Sequence, residues 1–378
     1  MTASQEYLEE LQKKHQLPFS ADHFKLLTDK GQHYIYKAAE TDTGKNYIIR
    51  LPKSTENNPI IKELERESAV TQIIAQHDLG VPTSNVKMFY GEQPFAYHKE
   101  IEGTLLTKDV YDNLSDSKKD IFAKDIAYFL HKLHSIPIEK LKDVPPQENP
   151  KSLSNDFLKN QFDYALAKNL LNKYGINLDA FKTDISEDKV LCHNDLHGEN
   201  LTVYSQDSSN SPNDHVLKGV FDFGNADISN RSFDFINLIN INRGLGRNII
   251  NQYNEISPHK VSQKEADYQY LCWQAQNLII YDTALKNINK DKQNNQISSQ
   301  KYDEFMARYN KFERLTSDKL ASFRIDVARE RSENRRNKDI HELSSKDHTA
   351  EKAPFKKDTI KDRTTFIKNI ISEKNYQK

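Results

Sequence analysis

Cysteine is nearly absent from this chain: Cys192 and Cys272 are the only two in 378 residues. That scarcity excludes a disulfide framework and an all-cysteine zinc site, and it fits a reducing, cytoplasmic setting. A surplus of charge of either sign is missing too. Lys plus Arg number 54 against 55 for Asp plus Glu, a net charge of −1, so bulk electrostatics gives nucleic-acid binding no support. No run approaches the roughly 18 apolar residues of a membrane span. Residues 1–16 are polar and charged, without the apolar stretch of a signal peptide. A glycine-rich phosphate loop is lacking as well, since Gly31 stands alone with no G-x-G-x-x-G around it. The length does allow a sizeable core divided between two lobes, while the oligomeric state stays open.

What is present is concentrated in two stretches. Cys192-His193-Asn194-Asp195-Leu196-His197-Gly198-Glu199-Asn200 reads His-x-Asp-(four residues)-Asn, and Val220-Phe221-Asp222-Phe223-Gly224 follows. Phosphoryl transfer to a hydroxyl needs one carboxylate to orient the attacking oxygen and take its proton. It also needs an amide and a second carboxylate to hold Mg²⁺ against the phosphates. Asp195, Asn200 and Asp222 are those three groups in the order and close spacing of a kinase catalytic loop. Either motif alone is common in structural roles; the conjunction is far more specific. Leu201–Tyr204 and Val216–Phe221 lie between them and are expected to pair as a hairpin that brings the motifs together. Val190 and Leu191 give the first motif an apolar lead-in that anchors it in the core.

These residues resemble the aminoglycoside phosphotransferases and their relatives, small-molecule kinases with a protein-kinase-like fold. Leu191-Cys192-His193-Asn194-Asp195 is especially similar to the 2''-aminoglycoside phosphotransferases. The likeness continues through Gly224-Asn225-Ala226-Asp227-Ile228 and Phe233-Asp234-Phe235-Ile236-Asn237-Leu238, and it spans most of residues 25–285. It implies an α+β fold of two lobes, a small antiparallel-sheet N-lobe and a larger, mostly helical C-lobe. On that plan residues 1–101 are the nucleotide-binding lobe and 102–104 the hinge. Residues 105–320 are the catalytic, acceptor-binding lobe, and 321–378 a charged tail that is partly helical or disordered.

The same resemblance distributes roles along the N-lobe. Phe24 to Leu51 turns to strand patterns, with a hairpin turn at Thr43-Gly44-Lys45. Gly31 falls in the turn that lies over the phosphates. The strand after the hairpin normally brings a Lys to the phosphates, and here Arg50 stands there, with Lys53 as the alternative. Arg grips phosphate bidentately but does not simply replace an ammonium. Ile60 to His77 has helical spacing, and Glu67 sits where a helix carboxylate would orient that cation. Glu100-Ile101-Glu102-Gly103 resembles the linker whose backbone N–H and C=O groups read the purine edge, which leaves ATP and GTP equally open.

In the C-lobe, residues 115–135 form a helix capped by Ser115 or Ser117. Packing and end-capping are the favoured roles of its His131 and His134, ahead of metal binding. His193 is expected to brace the catalytic loop. Asp234 does the same by resemblance, or caps a helix. Cys192 reads as a buried small residue. The polar residues 287–300 read as a loop, and Tyr302, Phe305, Tyr309 and Phe312 then mark one apolar face of a helix. Beyond Arg324 the chain is charged, with a basic cluster at Arg329, Arg331, Arg335 and Arg336 that reads as a solvated helix face.

The acceptor end departs from the family. Aminoglycosides are polycations and call for clustered carboxylates. Where the 2''-phosphotransferases carry an acidic run, this chain has Ile239-Asn240-Ile241-Asn242-Arg243-Gly244-Leu245-Gly246-Arg247. Glu265, Asp267 and Asp282 remain as possible contacts, and Tyr268, Tyr270 and Trp273 as an aromatic wall or core. The leading expectation is Mg²⁺-dependent transfer from ATP or GTP to a hydroxyl of a small molecule, an antibiotic such as an aminoglycoside among them. The alternatives are a metabolic kinase of the choline- or homoserine-kinase kind and a nucleotide-binding regulatory module without turnover. A protein substrate is disfavoured because nothing resembles an activation segment.

Overall fold

A computed structural model describes residues 5–15, 17, 24–29, 32–40, 43–54, 58–91, 94–146, 158, 161–204, 215–294 and 296–350. Gly31, the polar loop 206–214 and the terminal residues 351–378 lie outside the described residues. The chain divides into two compact units, Met1–Arg324 and Ile325–Lys378.

Helix α1 (Gln5–His15) precedes a five-stranded antiparallel sheet. Its strands are β1 (Lys25–Thr28), β2 (His33–Ala39), β3 (Asn46–Pro52), β4 (Lys87–Phe89) and β5 (Phe95–Lys99), in the order β1-β2-β3-β5-β4. Alternation sorts β3 between two faces. Tyr47, Ile49 and Leu51 join Tyr36, Phe95 and Tyr97 in one buried cluster that Leu11 and Leu17 also enter. Ile48 and Arg50 therefore point to the opposite face, where Arg50 pairs across to Ile35 and Ala96, and Ile48 across to Lys37 and His98. Helix α2 (Asn58–Ile74) buries Leu64 against Val86 and Ala96.

The chain crosses to the helical part through Gly103. Its φ of +134° is a conformation that side chains rarely adopt, and a Cβ there would lie 2.9 Å from the Val203 carbonyl oxygen. Strand β6 (Thr104–Leu105), α3 (Lys108–Asp112) and α4 (Asp116–Leu133) follow. The Ser115 hydroxyl caps α4 by accepting the Lys118 amide at 3.3 Å, and Phe122, Ile126, Phe129, Leu130 and Leu133 bury its inner face. After α5 (Tyr164–Lys173) come β7 (Lys189–Cys192), β8 (Leu201–Val203), β9 (Leu217–Val220) and β10 (Asp227–Asn230). Strands β8 and β9 form the expected antiparallel hairpin, while β7 pairs with β10. Buried Asp125 of α4 fixes the start of β9 by accepting the Val216 and Leu217 amides at 2.7 and 3.0 Å.

Helices α6 (Asp234–Ile241), α7 (Arg243–Ile256), α8 (Gln263–Gln293) and α9 (Ser299–Ala350) complete the described chain. The expected loop over 287–300 is mostly helix: α8 runs on to Gln293, with Lys290 and Lys292 in its last turn where cations favour the helix dipole. The aromatic face on α9 packs as its spacing implies, Phe312 stacking on Tyr281 with centroids 3.7 Å apart. Within the second unit, residues 325–350 are helical and Arg329 lies 3.9 Å from Asp326. Among the described residues no helix is long and apolar enough to cross a membrane.

Candidate active site

The loop between β7 and β8 is held from below by one buried carboxylate. Asp234, the first residue of α6, accepts the His193 amide at 3.0 Å and the Asn194 amide at 2.7 Å. Its Oδ2 also takes a bond from His134 Nε2 at 3.0 Å. Because a carboxylate only accepts, His134 carries its proton on Nε2, and its Nδ1 accepts from the Tyr253 hydroxyl at 3.1 Å. Arg231 in turn donates to that hydroxyl at 2.6 Å. Burial lowers the pKa of His134, in keeping with a neutral ring. Asp234 thus spends its carboxylate on the loop rather than capping its own helix. Cys192, His134 and Asp234 present ligand atoms within 4.8 Å of one another. Those atoms are committed, the histidine and the acid to each other and the thiol to the Asn230 carbonyl at 3.4 Å. Burial also pushes the Cys192 thiol well above its usual pKa, so it remains protonated.

His193 is fully buried and uses both ring nitrogens. Nε2–H donates to the Phe221 carbonyl at 3.1 Å, and Nδ1 accepts the Asp195 amide at 3.3 Å. This ring ties the catalytic loop to the segment carrying Asp222. Two non-glycine residues among those described have positive φ: Asn194 at 62° and Asp222 at 63°. Asn and Asp enter this region at lower cost than other side chains. Both lie in the two motifs that the sequence singles out, where the chain must turn sharply to aim the acids.

Asp195 is partly exposed, and its Oδ2 accepts from Asn225 Nδ2 at 2.8 Å. Asn200 is buried and donates its amide to the Asp195 carbonyl at 2.9 Å, which leaves its side-chain oxygen as the atom it presents. The Asn200 main-chain carbonyl accepts the Phe221 amide at 3.1 Å, so it adjoins the residue before Asp222. A carboxylate and an amide oxygen are the hard donors that Mg²⁺ takes, and Asp222 and Asn200 fit that set.

Arg50 reaches this cluster from β3. Its Nη2 donates to Glu67 Oε2, and its Nη1 lies 3.9 Å from Asp222 Oδ1. Burial pushes the Glu67 carboxyl up to about 7, with Arg50 pulling the other way and Asp222 adding to the rise. Lys53 is turned elsewhere, bonded to the Asp29 carbonyl and seated 5.2 Å from the Tyr34 ring centroid. Arg66, next to Glu67, crosses to the Asp222 segment and donates to the Ala226 carbonyl at 2.5 Å and to Asp227 at 2.9 Å.

In the linker, the Glu100 amide donates to the Asn46 carbonyl at 2.8 Å and its carboxylate pairs with Lys37 at 2.7 Å. The Glu102 carboxylate lies 3.5 Å from Lys218. His33 and His98 share the inner sheet face, and burial with the charge of Arg50 lowers both to about 4.

On the other side of Asp195 a cavity of about 750 Å³ opens. Its walls come from residues 106–108, 195–199, 237–243, 270–273 and 315–323. Arg243 lines it but is buried and neutralised, with Nε 3.2 Å from Asp267 Oδ1 and Nη2 2.5 Å from Oδ2. Its guanidinium also lies over Phe323 at 5.2 Å. Arg247 is not in the wall. Glu265 accepts from the Ser186 amide and the Ser232 hydroxyl, and Asp282 pairs with Lys286, so neither lines this cavity. Tyr270 and Trp273 do line it, while Tyr268 does not.

Sequence reasoning missed Asn225, His134 and Arg66 as supports of the site. Asn225 sits one residue past the Asp-Phe-Gly run, which was its only local signal. The partners of His134 and Arg66 lie 100 and 161 positions away.

A two-lobed, kinase-like fold with a paired acid and amide at the cleft defines a class, the small-molecule phosphotransferases. The sequence profile of the phosphotransferase enzyme family matches residues 27–257, more than half of the chain, and the protein belongs to that family. Among solved structures, the GDP and kanamycin complex of an APH(2'') enzyme aligns with a TM-score of 0.53 at 16% identity, covering 82% of this chain and 99% of the other. The macrolide 2'-phosphotransferase of Brachybacterium faecium aligns at 0.53 and 16%, covering 74% and 93%. At such identities the likeness speaks for the fold. The mitochondrial altered inheritance of mitochondria protein 9 of Lachancea thermotolerans is 27% identical over 155 residues, 35% of this chain. The chain spans about a quarter of that curated relative's length.

Proposed function

We propose that this protein transfers the γ-phosphoryl group of ATP or GTP to a hydroxyl of a small molecule. The observation that carries this reading is the position of Asp195. Its carboxylate is part of the acceptor cavity wall, while its carbonyl is bonded to Asn200. In the reaction the acceptor oxygen forms a bond to the γ-phosphorus, the bond to the bridging oxygen breaks, and the nucleoside diphosphate leaves. Asp195 takes the hydroxyl proton, and Asn225 steers it by occupying Oδ2. Arg50, held by Glu67, faces the phosphates. Asn200 and Asp222 would hold Mg²⁺, which when bound neutralises charge on the phosphate oxygens. His193 and Asp234 keep the loop in place. In this reading the chain up to residue 101 carries the nucleotide side, 102–104 the hinge and 105–320 the acceptor side.

The acceptor is a hydroxylated small molecule. Of the charges in the cavity wall, Lys108 and Arg243 are paired with Asp112 and Asp267, which leaves the carboxylates of Asp195, Glu199 and Asp318 beside Lys319. Two free, buried cysteines fit the reducing cytoplasm. The test is nucleotide turnover against aminoglycosides, macrolides and small amino alcohols with wild type and Asp195→Asn. Turnover in the variant equal to wild type removes Asp195 from the reaction.

A further inference from the structure

The cavity beside Asp195 has an unusual charge arrangement. Of its three lining cations, Arg243 is neutralised by Asp267 and Lys108 is paired with Asp112. Lys319 has no hydrogen bond or ion pair among the described residues, although it is only partly exposed. A half-buried ammonium without an anion is a poor arrangement in the empty protein and an attractive one for an anionic ligand. Burial lowers its pKa. Trp273 in the same wall is half-buried and offers aromatic surface, while Tyr270 and Phe323 are buried.

We infer that Lys319 anchors an anionic group of the acceptor, a carboxylate or a phosphate, so that the acceptor carries one anionic end. This rests on the phosphotransferase reading for the word acceptor, but the anion site itself does not. The acceptor would lay its body against Trp273, place its anion at Lys319 and offer a hydroxyl to Asp195. The three carboxylates of the same wall, Asp195, Glu199 and Asp318, leave Lys319 as its single unpaired cation among the described residues and oppose a second negative charge on the ligand.

Trp273 is the single tryptophan of the sequence and lines this cavity, so its emission reports occupancy without turnover. The test titrates the full chain with glucuronate, glucose 6-phosphate, glucose and kanamycin, reading Trp273 fluorescence in wild type, Lys319→Gln and Lys319→Arg. The expected result is a saturable response to glucuronate, glucose 6-phosphate or both, weakened about tenfold or more in Lys319→Gln and restored in Lys319→Arg. The two anions separate a carboxylate site from a phosphate site. A response to kanamycin or glucose equal to that of the anions overturns the inference. So does an anion response untouched by Lys319→Gln, or no response to either anion. If the anions bind through Lys319 but no hydroxylated compound is ever phosphorylated, the proposed activity fails and the anion site stands.

Discussion

The catalytic loop and the acceptor cavity share Asp195, yet they are built on opposite principles. In the loop nearly every polar group has a fixed partner. Asp234 holds two amides and a histidine, His193 bridges two strand ends, and Asn225 and Asn200 pin Asp195 from both sides. The cavity wall is assembled from five separate stretches and includes Lys319, an ammonium with no partner among the described residues. Fixed hydrogen bonds suit groups that must hold still while charge moves. An uncompensated charge suits a surface whose partner arrives from solution.

That contrast is breakable by experiment. The largest effect belongs to the shared residue: Asp195→Asn should lower kcat by about 10³-fold or more while nucleotide affinity stays near wild type, measured by steady-state kinetics and nucleotide titration. Asp234→Ala comes next. It strips the acceptor from two buried amides and a buried imidazole, and should destabilise the protein by about 3–5 kcal/mol in urea unfolding. A loss under 1 kcal/mol would show that the loop does not depend on this carboxylate. Gly198→Ala tests the seam between loop and cavity. Its Cβ would stand 1.9 Å from the Leu106 carbonyl oxygen, a backbone atom that cannot swing aside. A cost of about 1–3 kcal/mol is expected.

The smallest effect concerns pH. Glu67 has a folded pKa of about 7, above its ordinary 4.5, so the folded state binds its proton more tightly. Its contribution to stability is present at pH 4.5 and is lost as pH rises through about 7. His33 and His98, lowered to about 4 from 6.5, act in the opposite sense, adding stability as pH rises across that interval. The quantity to read is therefore the stability of wild type minus that of Glu67→Gln, which should fall between pH 4.5 and 7. A flat difference would mean Glu67 is ionised throughout.

Much of the catalytic side was legible because its chemistry is local. Asp195 and Asn200 lie five residues apart, so one turn fixes their relation, and the Leu201–Val220 hairpin brings Asp222 alongside. Strand register shows the limit. Nothing in Glu100-Ile101-Glu102-Gly103 reveals that the Glu100 amide is already used by Asn46, since that bond depends on strand register. Arg243 shows the same limit. The sequence puts Arg243 where the family carries an acidic run, and only packing revealed Asp267 beside it.

By itself the sequence determined the reaction type, because an acid, an amide and a second acid at short spacing need only two turns to converge. The sheet face of Arg50 follows from strand alternation once the fold has buried Tyr47, Ile49 and Leu51. Tertiary structure alone decided the charge of the acceptor cavity. Whether a cation there is neutralised or left open depends on which distant carboxylate packs against it, and no local pattern of residues encodes that distance.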